Sequence, residues 1–447
     1  MLYRKKKILY NNIMTHLTWD DISEPFDDDK EVSKLKIYRD SDANQIVPIH
    51  LTAPEFEKIL SSDANLFVEG DNYPFLKIVS GHLEGKVDLI YIDPPYNTGN
   101  TFTYNDNFFQ NGERHSAWLS FMKRRLLPAR QLLSDRGCIF IAIDQSELYV
   151  LKLLCDEIFG EENFVNDFMW LHGKGKKDKW SRTLQQHTLC YAKNKRELHA
   201  FCDIEITDWA KSNPDDDPRG NWFSGSISFT EARSNPRHKN FYKLTSPSGK
   251  VWKRQWMVSR EEMQKLIATD KIYFGKKPEY DQVPRIKIFN SEENEIIPKN
   301  IIDCVESTRA AQHHLDELLG EKSLFDNPKP VDLIEHLIKI TGLPKDALIM
   351  DFFAGSGTTF EAVASLNASD GGSRRCILVQ LPEVNQKNPM YSISDVCRRR
   401  MVEVQARLQQ GALRTTPANQ AAASAGPLQE PAGENSPSQG IVFLKLQ

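Results

Sequence analysis

The chain has 447 residues, a formal net charge of −4, 40% apolar residues and 26% charged residues, which is ordinary for a soluble globular protein of two or three domains. The slightly acidic balance excludes a uniformly basic surface, so any surface that binds nucleic acid must be local. The seven scattered cysteines form no CxxC pair, which argues against a disulfide framework and a metal site. No run is apolar enough to span a membrane or to act as a secretory signal, and we expect a cytoplasmic protein without a metal.

The first strands of the chain follow a long polar segment. Residues 1–64 are polar and irregular, and we expect them to form an N-terminal arm, within which Met14 is an alternative start. An apolar run at Leu66–Val68 predicts a strand that ends near Asp71. The run Val87–Ile92 predicts a second, buried strand.

The second strand ends in Asp93-Pro94-Pro95-Tyr96. Proline cannot continue a ladder of backbone hydrogen bonds, so the strand must stop there. The turn therefore presents a carboxylate, backbone carbonyls and an aromatic ring at the carboxyl edge of a sheet, where ligands bind in open α/β folds. Acceptors beside a stacking ring suit a planar substrate that bears an amino group, such as adenine or cytosine.

Helices and strands then alternate. Residues Ala117–Leu133 have the apolar spacing of an amphipathic helix, and Cys138–Ile143 predicts a strand. A second helix is expected around Leu148–Ile158, and a further strand at Leu189–Ala192. The alternation predicts a predominantly parallel sheet.

Between residues 203 and 300 this alternation fades, and aromatic residues interleave with basic ones. These residues are Trp222, Phe223, Phe229, Arg233, Arg237, His238, Lys239, Phe241, Tyr242, Lys243, Trp252, Lys253, Arg254 and Trp256. The mixture suits phosphate contacts and base stacking, although the aromatics would equally serve as the core of a small mixed domain. A basic cluster precedes the segment at Lys174, Lys176, Lys177, Lys179 and Arg182.

The alternation resumes after residue 300. A helix begins at Pro330, strands follow at Ala347–Asp351 and Cys376–Val379, and another helix covers Asp395–Leu408. Residues 411–447 are rich in Ala, Pro, Ser, Gln and Gly, which is typical of a disordered tail.

A glycine turn follows the strand that ends at Asp351. Gly355 and Gly357 allow positive φ and a close approach of the backbone to a ligand, and Thr358 or Thr359 is expected to cap the next helix. A helix N-terminus favours a negatively charged ligand group. The turn lacks the lysine of a P-loop and the third glycine of a dinucleotide fingerprint, and an ordinary strand-to-helix turn remains the alternative.

Together, Asp-Pro-Pro-Tyr at 93–96 and Phe-Ala-Gly-Ser-Gly at 353–357 resemble the catalytic and cofactor motifs of DNA methyltransferases that modify amino groups with S-adenosylmethionine. The catalytic motif precedes the cofactor motif, as in the beta class. Flanking segments resemble the modification subunits of type III restriction systems. These segments are Asn65–Asn72, Asn97–Asn100, Tyr104–Phe108, His115–Leu119, Asp156–Phe164 and Asn327–Pro330.

The resemblance implies an α/β fold with a Rossmann-like, mostly parallel sheet and an inserted mixed α+β domain for target recognition. It implies a catalytic half at 65–202, a target-recognition domain at 203–300 and a cofactor-binding half at 301–410, followed by the tail at 411–447. The similarity is weakest in the middle segment, whose assignment depends on its position in the chain.

The resemblance also implies roles for single residues. Asp93 and the carbonyl of Pro94 would accept hydrogen bonds from the exocyclic amino group, within a turn shaped by Pro95, and Tyr96 would stack on the flipped base. The expected cofactor contacts come from the glycine turn and from three positions outside it. They are Asp71, Lys329, Asp351, Phe353, Gly355, Ser356, Gly357, Thr358 and Glu383.

Among the cofactor contacts, Asp71 is expected to bind the adenine amino group and Glu383 the ribose. Glu383 lies beyond the strand end where this acid normally occurs. Lys329 is included because it belongs to the Asn-Pro-Lys-Pro motif.

The implied activity is adenine-N6 methylation of a specific double-stranded DNA sequence by the modification subunit of a type III system. The resemblance also implies a homodimer and a restriction (Res-type) subunit as partner. Asp93, followed by Asn97–Asn100, favours adenine over the alternative, cytosine-N4. An alternative of another class is a catalytically silent DNA-recognition subunit.

Overall fold

A computed structural model describes residues 36–42, 45–100, 102–104, 106–108, 114–172, 179–206, 210, 212–290, 293–411 and 440–446. The chain divides into two compact units, a main unit formed by Met1–Phe201 with Pro298–Gln447 and an inserted unit formed by Cys202–Ile297. No described helix combines the length and the apolar composition needed to cross a bilayer.

The elements are named in chain order. The strands are β1 (Ile37–Asp42), β2 (Gln45–His50), β3 (Asn65–Glu69), β4 (Val87–Ile92), β5 (Leu133–Ile143), β6 (Phe164–Leu171), β7 (Gln185–Ala192), β8 (Asp203–Ile206), β9 (Trp222–Gly225), β10 (Phe241–Thr245), β11 (Val251–Gln255), β12 (Ile272–Tyr273), β13 (Arg285–Phe289), β14 (Glu293–Ile296), β15 (Ile301–Ile302), β16 (Leu348–Asp351), β17 (Arg375–Gln380) and β18 (Ile441–Leu446). The helices are α1 (Ala53–Leu60), α2 (Asn72–Leu83), α3 (Arg114–Leu132), α4 (Leu148–Phe159), α5 (Arg260–Ala268), α6 (Thr308–Leu319), α7 (Val331–Ile340), α8 (Thr358–Asp370) and α9 (Ile393–Gln409).

The main unit is built on one sheet with the strand order β15-β6-β7-β5-β4-β16-β17-β3-β18-β1-β2. The six strands from β5 to β18 in this order are parallel to one another. On one side of them β7 is antiparallel to β5 and β6, and on the other side β1 is antiparallel to β18. This mostly parallel sheet confirms the predicted α/β fold. Because β4, β16, β17 and β3 are neighbours, their carboxyl ends lie side by side at one edge.

Both faces of the sheet are covered. Ile90 and Ile92 of β4 pack in a core with α2, α3 and α4 on one face. Leu89 and Tyr91 pack on the other face, in a core with α7, α8 and α9. Successive side chains of a strand alternate between faces, so a strand buried on both sides is apolar at nearly every position, which is the pattern of Val87–Ile92.

The two ends of the main unit differ from the predictions. The expected irregular arm is wrong for β1, β2 and α1, and the expected disordered tail is wrong for β18, which lies parallel to β3 and antiparallel to β1. β1 and β18 each pair with a segment from the opposite end of the chain, and β2 pairs with β1. Such long-range pairing is invisible in local composition. Residues 1–35, with Met14, and residues 412–439 lie outside the described part of the chain.

The inserted unit has its own small sheets and core. β12, β13 and β9 form one sheet, β10 and β11 form a hairpin, and β14 pairs with β8. Tyr242, Trp252 and Trp256 pack in a hydrophobic core with Met263, and Trp222 lies in a second buried group. For these four aromatics the alternative prediction holds, because a buried ring inside the unit cannot stack on a base.

A buried lysine holds the acidic residues of the inserted unit together. The Lys287 ammonium lies 2.7 Å from Asp215, 2.7 Å from Asp217 and 3.0 Å from Asp270, and the side chain is 1% exposed. These three acids have the spacing of a metal-binding group. Because the ammonium lies among them, Lys287 supplies the positive charge that their oxygens require.

Candidate active site

The turn after β4 is held by the side chains around it. The Tyr96 hydroxyl donates to Asp93 Oδ1 at 2.6 Å, and the Trp118 indole of α3 donates to the Pro95 carbonyl at 2.8 Å. Burial, with Asp93 beside it, raises the pKa of the Tyr96 hydroxyl well above its usual value, so the group remains a donor. Pro94 is buried, whereas Asp93 keeps 28% of its side chain exposed.

Lys329 contacts this turn with its side chain. Its ammonium donates to Asp93 Oδ2 at 2.5 Å and to the Tyr96 hydroxyl at 2.9 Å. The lysine immediately precedes α7, whose N-cap is Pro330. The motif residue that was predicted for the cofactor therefore contacts the predicted catalytic acid.

Sequence reasoning missed a buried polar network under the next residues. Asn97 has φ 58°, and the backbone amides of Asn97 and Thr98 donate to Asp106 at 2.7 and 2.9 Å. The Asn97 side chain donates to Glu147 Oε1 at 2.7 Å, and His115 Nδ1 lies 2.8 Å from the same atom. Asn97, Asp106 and Glu147 are buried, so this network fixes the direction in which the turn leaves the strand.

The carboxylate of Asp351 points into the protein. It is 2% exposed, its Oδ2 accepts from the Thr359 hydroxyl at 2.5 Å, and its Oδ1 accepts from the Phe353 amide at 3.0 Å. Burial raises the pKa of Asp351 to about 7, with Asp93 adding to the rise and the two hydrogen bonds opposing it. This acid, predicted to contact the cofactor, braces the strand-to-helix turn.

The two glycines of the turn have the predicted backbone. Gly355 has φ 52° and Gly357 has φ 84°, and a Cβ at Gly357 would lie 3.0 Å from Cys397 Sγ. Gly357 is the N-cap of α8 and no side chain caps this helix, so the predicted cap by Thr358 or Thr359 is wrong. Both hydroxyls are engaged elsewhere, Thr359 with Asp351 and Thr358 with Arg400.

A buried arginine holds the turn from below. Arg400 of α9 donates to the hydroxyls of Ser356 and Thr358 at 3.0 and 2.8 Å and to Glu361 Oε2 at 2.7 Å. Burial raises the pKa of Glu361, but Arg400 and His314 beside it lower the pKa by more than burial raises it, so that the pKa is about 2. The side chains of Ser356 and Thr358 are therefore buried and bonded to Arg400, and their predicted cofactor contacts stay a prediction.

Asp71 belongs to a group of polar side chains that connects the end of β3 with the glycine turn after β16. It is the N-cap of α2, where its Oδ1 accepts from the Tyr73 amide at 2.9 Å. Arg125 donates to Asn72 Oδ1 at 2.5 Å and to Asp71 at 3.3 Å, and Asn72 donates to the Phe352 carbonyl at 2.6 Å. Arg125 and Asn72, which sequence reasoning missed, thus tie the end of β3 to the glycine turn.

The strand β17 ends in an amide side chain, that of Gln380. The acid that was predicted to bind the ribose, Glu383, lies beyond this strand end. The Gln380 side chain accepts from the Gly355 amide at 2.8 Å. Glu383 lies three residues further along, partly exposed, and its carbonyl accepts from the Ile393 amide at 2.8 Å. Glu383 stays a prediction, and Gln380 is the residue that contacts the turn.

A comparison with known protein families identifies the family of this chain. The model of the DNA methylase family N6_N4_Mtase matches residues 87–379, a range that begins with β4, ends within β17 and includes both motifs. The chain belongs to this family. The resemblance inferred from the two motifs is therefore confirmed.

The similar proteins include modification subunits and a type II methyltransferase. The type III restriction-modification enzyme StyLTI Mod subunit of Salmonella typhimurium is 35% identical over 379 residues, which cover 77% of this chain and 57% of that protein. The EcoPI Mod subunit of Escherichia phage P1 is 35% identical over 413 residues, 76% of this chain and 62% of that protein. The type II methyltransferase M.KpnI of Klebsiella pneumoniae is 31% identical over 350 residues, 72% of this chain and 81% of that protein. This chain thus spans about three fifths of the two Mod subunits.

Proposed function

We propose that this protein transfers a methyl group from S-adenosylmethionine to an exocyclic amino group of a base in double-stranded DNA. The observation that carries the proposal is the placement of two features at the ends of neighbouring strands. A partly exposed acid with its aromatic partner, Asp93 and Tyr96, follows β4, and the glycine turn follows β16. Membership of the DNA methylase family supports the same activity.

The residues at this edge fit S-adenosylmethionine. Asp71, Phe353 and Gly355 are partly exposed at the ends of β3 and β16, where they offer a carboxylate, an aromatic face and a backbone that approaches closely. We propose that these three residues hold the cofactor, with Glu383 or Gln380 near its ribose. When bound, the cofactor supplies an electrophilic methyl group on a positively charged sulfur, and nearby carboxylates suit that charge.

The residues of the Asp-Pro-Pro-Tyr turn would activate the amino nitrogen. Its lone pair is delocalised into the base, and hydrogen bonds from its N–H groups to Asp93 and to the Pro94 carbonyl would localise it. The localised lone pair would then be available for the methyl group that bound S-adenosylmethionine would supply, with the electron pair of the carbon–sulfur bond left on sulfur. The nitrogen becomes cationic beside the carboxylate and loses its extra proton to Asp93 or to water. Positioning supplies much of the remaining acceleration, and Tyr96 would stack on the flipped base.

We further propose adenine N6 as the methyl acceptor. Asp93 with the Asn97–Asn100 extension supports adenine, since serine is more often associated with cytosine-N4 chemistry at the first position. Cytosine-N4 methylation remains the alternative within the same family. A catalytically silent recognition subunit would have no use for a constrained acid beside a glycine turn, and this observation disfavours it.

The β10–β11 hairpin supports a DNA-binding role for the inserted unit. Lys243 and Lys253 lie directly opposite each other and both are exposed, whereas Leu244 and Trp252 point into the core. Like charges in directly opposite positions destabilise a hairpin, and a phosphate backbone would relieve that repulsion. We propose that this outer face contacts DNA phosphates. Lys174, Lys176 and Lys177 of the earlier basic cluster lie outside the described residues, and Lys179 and Arg182 are exposed.

The Mod subunits that this chain resembles support a type III restriction-modification system. We propose a restriction (Res-type) subunit as partner and a homodimer as the working form. The second candidate is a type II methyltransferase, because the chain is also 31% identical to the type II methyltransferase M.KpnI over 350 residues. The activity requires a compartment that holds both DNA and S-adenosylmethionine, which we expect to be the cytoplasm.

Sequencing of modified bases in DNA from cells that express the protein tests the proposal. We expect N6-methyladenine within one short sequence, and none in cells that express Asp93→Ala. Methylated cytosine at a specific sequence would select the alternative chemistry. A genome without any new modification would contradict the proposed function. Purification with and without a Res-type subunit then separates the two candidate systems.

A further inference from the structure

Both carboxylate oxygens of Asp93 are engaged within the protein. The Tyr96 hydroxyl donates to Oδ1 at 2.6 Å, the Lys329 ammonium donates to Oδ2 at 2.5 Å, and the ammonium also donates to the Tyr96 hydroxyl at 2.9 Å. The three side chains form a closed triangle. The acid that is proposed to accept a hydrogen bond from a base already accepts two.

The backbone around Lys329 keeps the ammonium in this place. Pro328 and Pro330 flank the lysine and both are buried, and proline fixes φ on either side of it. Lys329 itself is 9% exposed, unlike an ordinary surface lysine that moves through solvent. Its ammonium also lies 5.2 Å from the centre of the Tyr96 ring, the ring that is proposed to stack on the base.

The charges around the ammonium explain its position. Asp93 and Asp351 both lie near it, and Lys329 is one of the groups that limit the rise in the pKa of Asp351. His172 is also near, since burial and then Lys329 lower the pKa of its imidazole. Lys329 is therefore a cation that interacts with both of these acids at the strand edge.

An exocyclic amino group and an ammonium group make the same kind of contact with a carboxylate, since both donate N–H hydrogen bonds. An oxygen with an ammonium at 2.5 Å has no room for a second nitrogen in the same direction. A base that approaches Oδ2 from that direction can place its amino group there only when the ammonium withdraws. The Tyr96 hydroxyl, already within hydrogen-bond distance of Lys329, offers a second acceptor on that path.

We propose that Lys329 is a positioning residue that occupies the place of the substrate amino group at Asp93 and yields it when the flipped base enters. This inference depends on the proposed function, because it assumes a base that bears an amino group. It assigns Lys329 to the binding of the base and not to the binding of the cofactor. Entry of the base and withdrawal of the ammonium are then coupled, because the two groups compete for the same oxygen of Asp93.

Two substitutions of Lys329 should change the KM for DNA in opposite directions. Lys329→Met keeps an unbranched side chain without a donor, so the base meets no competitor and the KM for DNA falls. The same change leaves Asp93 and Tyr96 less well oriented, and kcat falls roughly tenfold or more. Lys329→Arg retains the charge and can bind the carboxylate in two-pronged fashion, so the competitor is harder to displace and the KM for DNA rises.

The experiment uses the full chain and a duplex that carries the methylated sequence identified by modified-base sequencing. It measures kcat and KM, the fluorescence of 2-aminopurine at the target position as a reporter of flipping, and the affinity for S-adenosylmethionine by calorimetry. We expect brighter fluorescence for Lys329→Met than for the natural protein, dimmer fluorescence for Lys329→Arg, and the same cofactor affinity for all three. Lys345→Met, on an exposed lysine that bonds the Asp370 carbonyl, is the matched control and should behave like the natural protein.

Equal changes of KM and fluorescence in both Lys329 variants would overturn the inference, because a merely structural lysine would give that result. A tenfold loss of cofactor affinity in Lys329→Met with unchanged flipping would overturn it too and would return Lys329 to the cofactor. Should Lys329→Met fail to fold, the prediction for Lys329→Arg stands alone, and an unchanged KM in that variant contradicts it. A natural protein that methylates no DNA would instead contradict the proposed function.

Discussion

Asp93 follows β4 and Asp351 is the last residue of the neighbouring parallel strand β16. The two acids lie close enough to influence each other, but their environments are opposite. Asp93 is partly exposed and has a buried lysine as its counterion. Asp351 is buried, and a hydroxyl and a backbone amide occupy its oxygens. This contrast shows that two carboxylates at one sheet edge can differ in exposure and in the partners of their oxygens. We assign chemistry to Asp93 and support of the turn to Asp351.

The largest expected effect comes from removal of the exposed acid. Asp93→Ala should lower kcat by at least about 10²–10³-fold, because the developing charge on nitrogen loses its carboxylate. Cofactor affinity should survive, as Asp93 lies on the base side of the site. Single-turnover methylation and calorimetry measure the two quantities. Asp346→Ala, at an exposed acid of the same unit, is the control, and turnover by Asp93→Ala at the rate of this control would contradict the assignment.

The glycine turn offers the next effect, loss of cofactor binding. Gly355→Val places a β-branched residue at φ 52° with its Cβ 3.2 Å from the Phe325 ring, so the turn must move. Gly85→Val is the matched control, since Gly85 also has positive φ, 66°, but no neighbour within 4 Å of an added Cβ. We expect both variants to lose stability and Gly355→Val alone to lose cofactor affinity in calorimetry. Equal cofactor affinity in the two variants would show that the glycine turn does not bind the cofactor.

The buried arginine below the turn should matter more for stability than for chemistry. Arg400→Met leaves Glu361 as a buried charge without its main partner, which costs about 3–5 kcal/mol in comparable sites. Arg407→Met, on the same helix and in a partly exposed pair with Glu403, should cost about 1 kcal/mol or less. Denaturant unfolding measures both. Similar losses for the two variants would show that the network under Ser356 and Thr358 does not brace the turn.

The buried acid itself should make stability depend on pH. The pKa of Asp351 is about 7 in the folded protein against 3.8 for the ordinary side chain, so the folded state retains a proton that the unfolded state releases between these values. Stability from this group is fully present below pH 4 and is lost as pH rises toward 7, by roughly 4 kcal/mol at most. Asp351→Asn removes the titration. Unfolding curves of the natural protein and the variant should diverge over this pH range, and parallel curves would contradict the role of Asp351.

Local sequence was enough to predict the strand ends and the glycine turn. The apolar run before Asp93 and the positive φ of Gly355 and Gly357 follow from neighbouring residues alone. The direction of each side chain depends on contacts across the fold. Asp351 turns inward to Thr359, eight residues away, and Lys329 reaches an acid 236 residues earlier in the chain.

Other features depended on partners that no local pattern reveals. β18 forms because its backbone pairs with β3, nearly the whole chain away. Arg400 was visible only as one of three consecutive arginines in a predicted helix, and nothing in that run distinguishes the one that bonds Ser356, Thr358 and Glu361. In the inserted unit, Trp252 and Lys253 are adjacent in sequence, and only the pairing of β10 with β11 decides which of them points into the core.

The central claim, methyl transfer to adenine in DNA, is tested most directly with the purified protein. Duplex DNA is incubated with S-adenosylmethionine that carries an isotopically labelled methyl group, digested to nucleosides and analysed by mass spectrometry. We predict label in N6-methyldeoxyadenosine, and none when Asp93→Ala replaces the natural protein. Label confined to methylated deoxycytidine, or DNA that stays unlabelled with properly folded protein, would contradict the account.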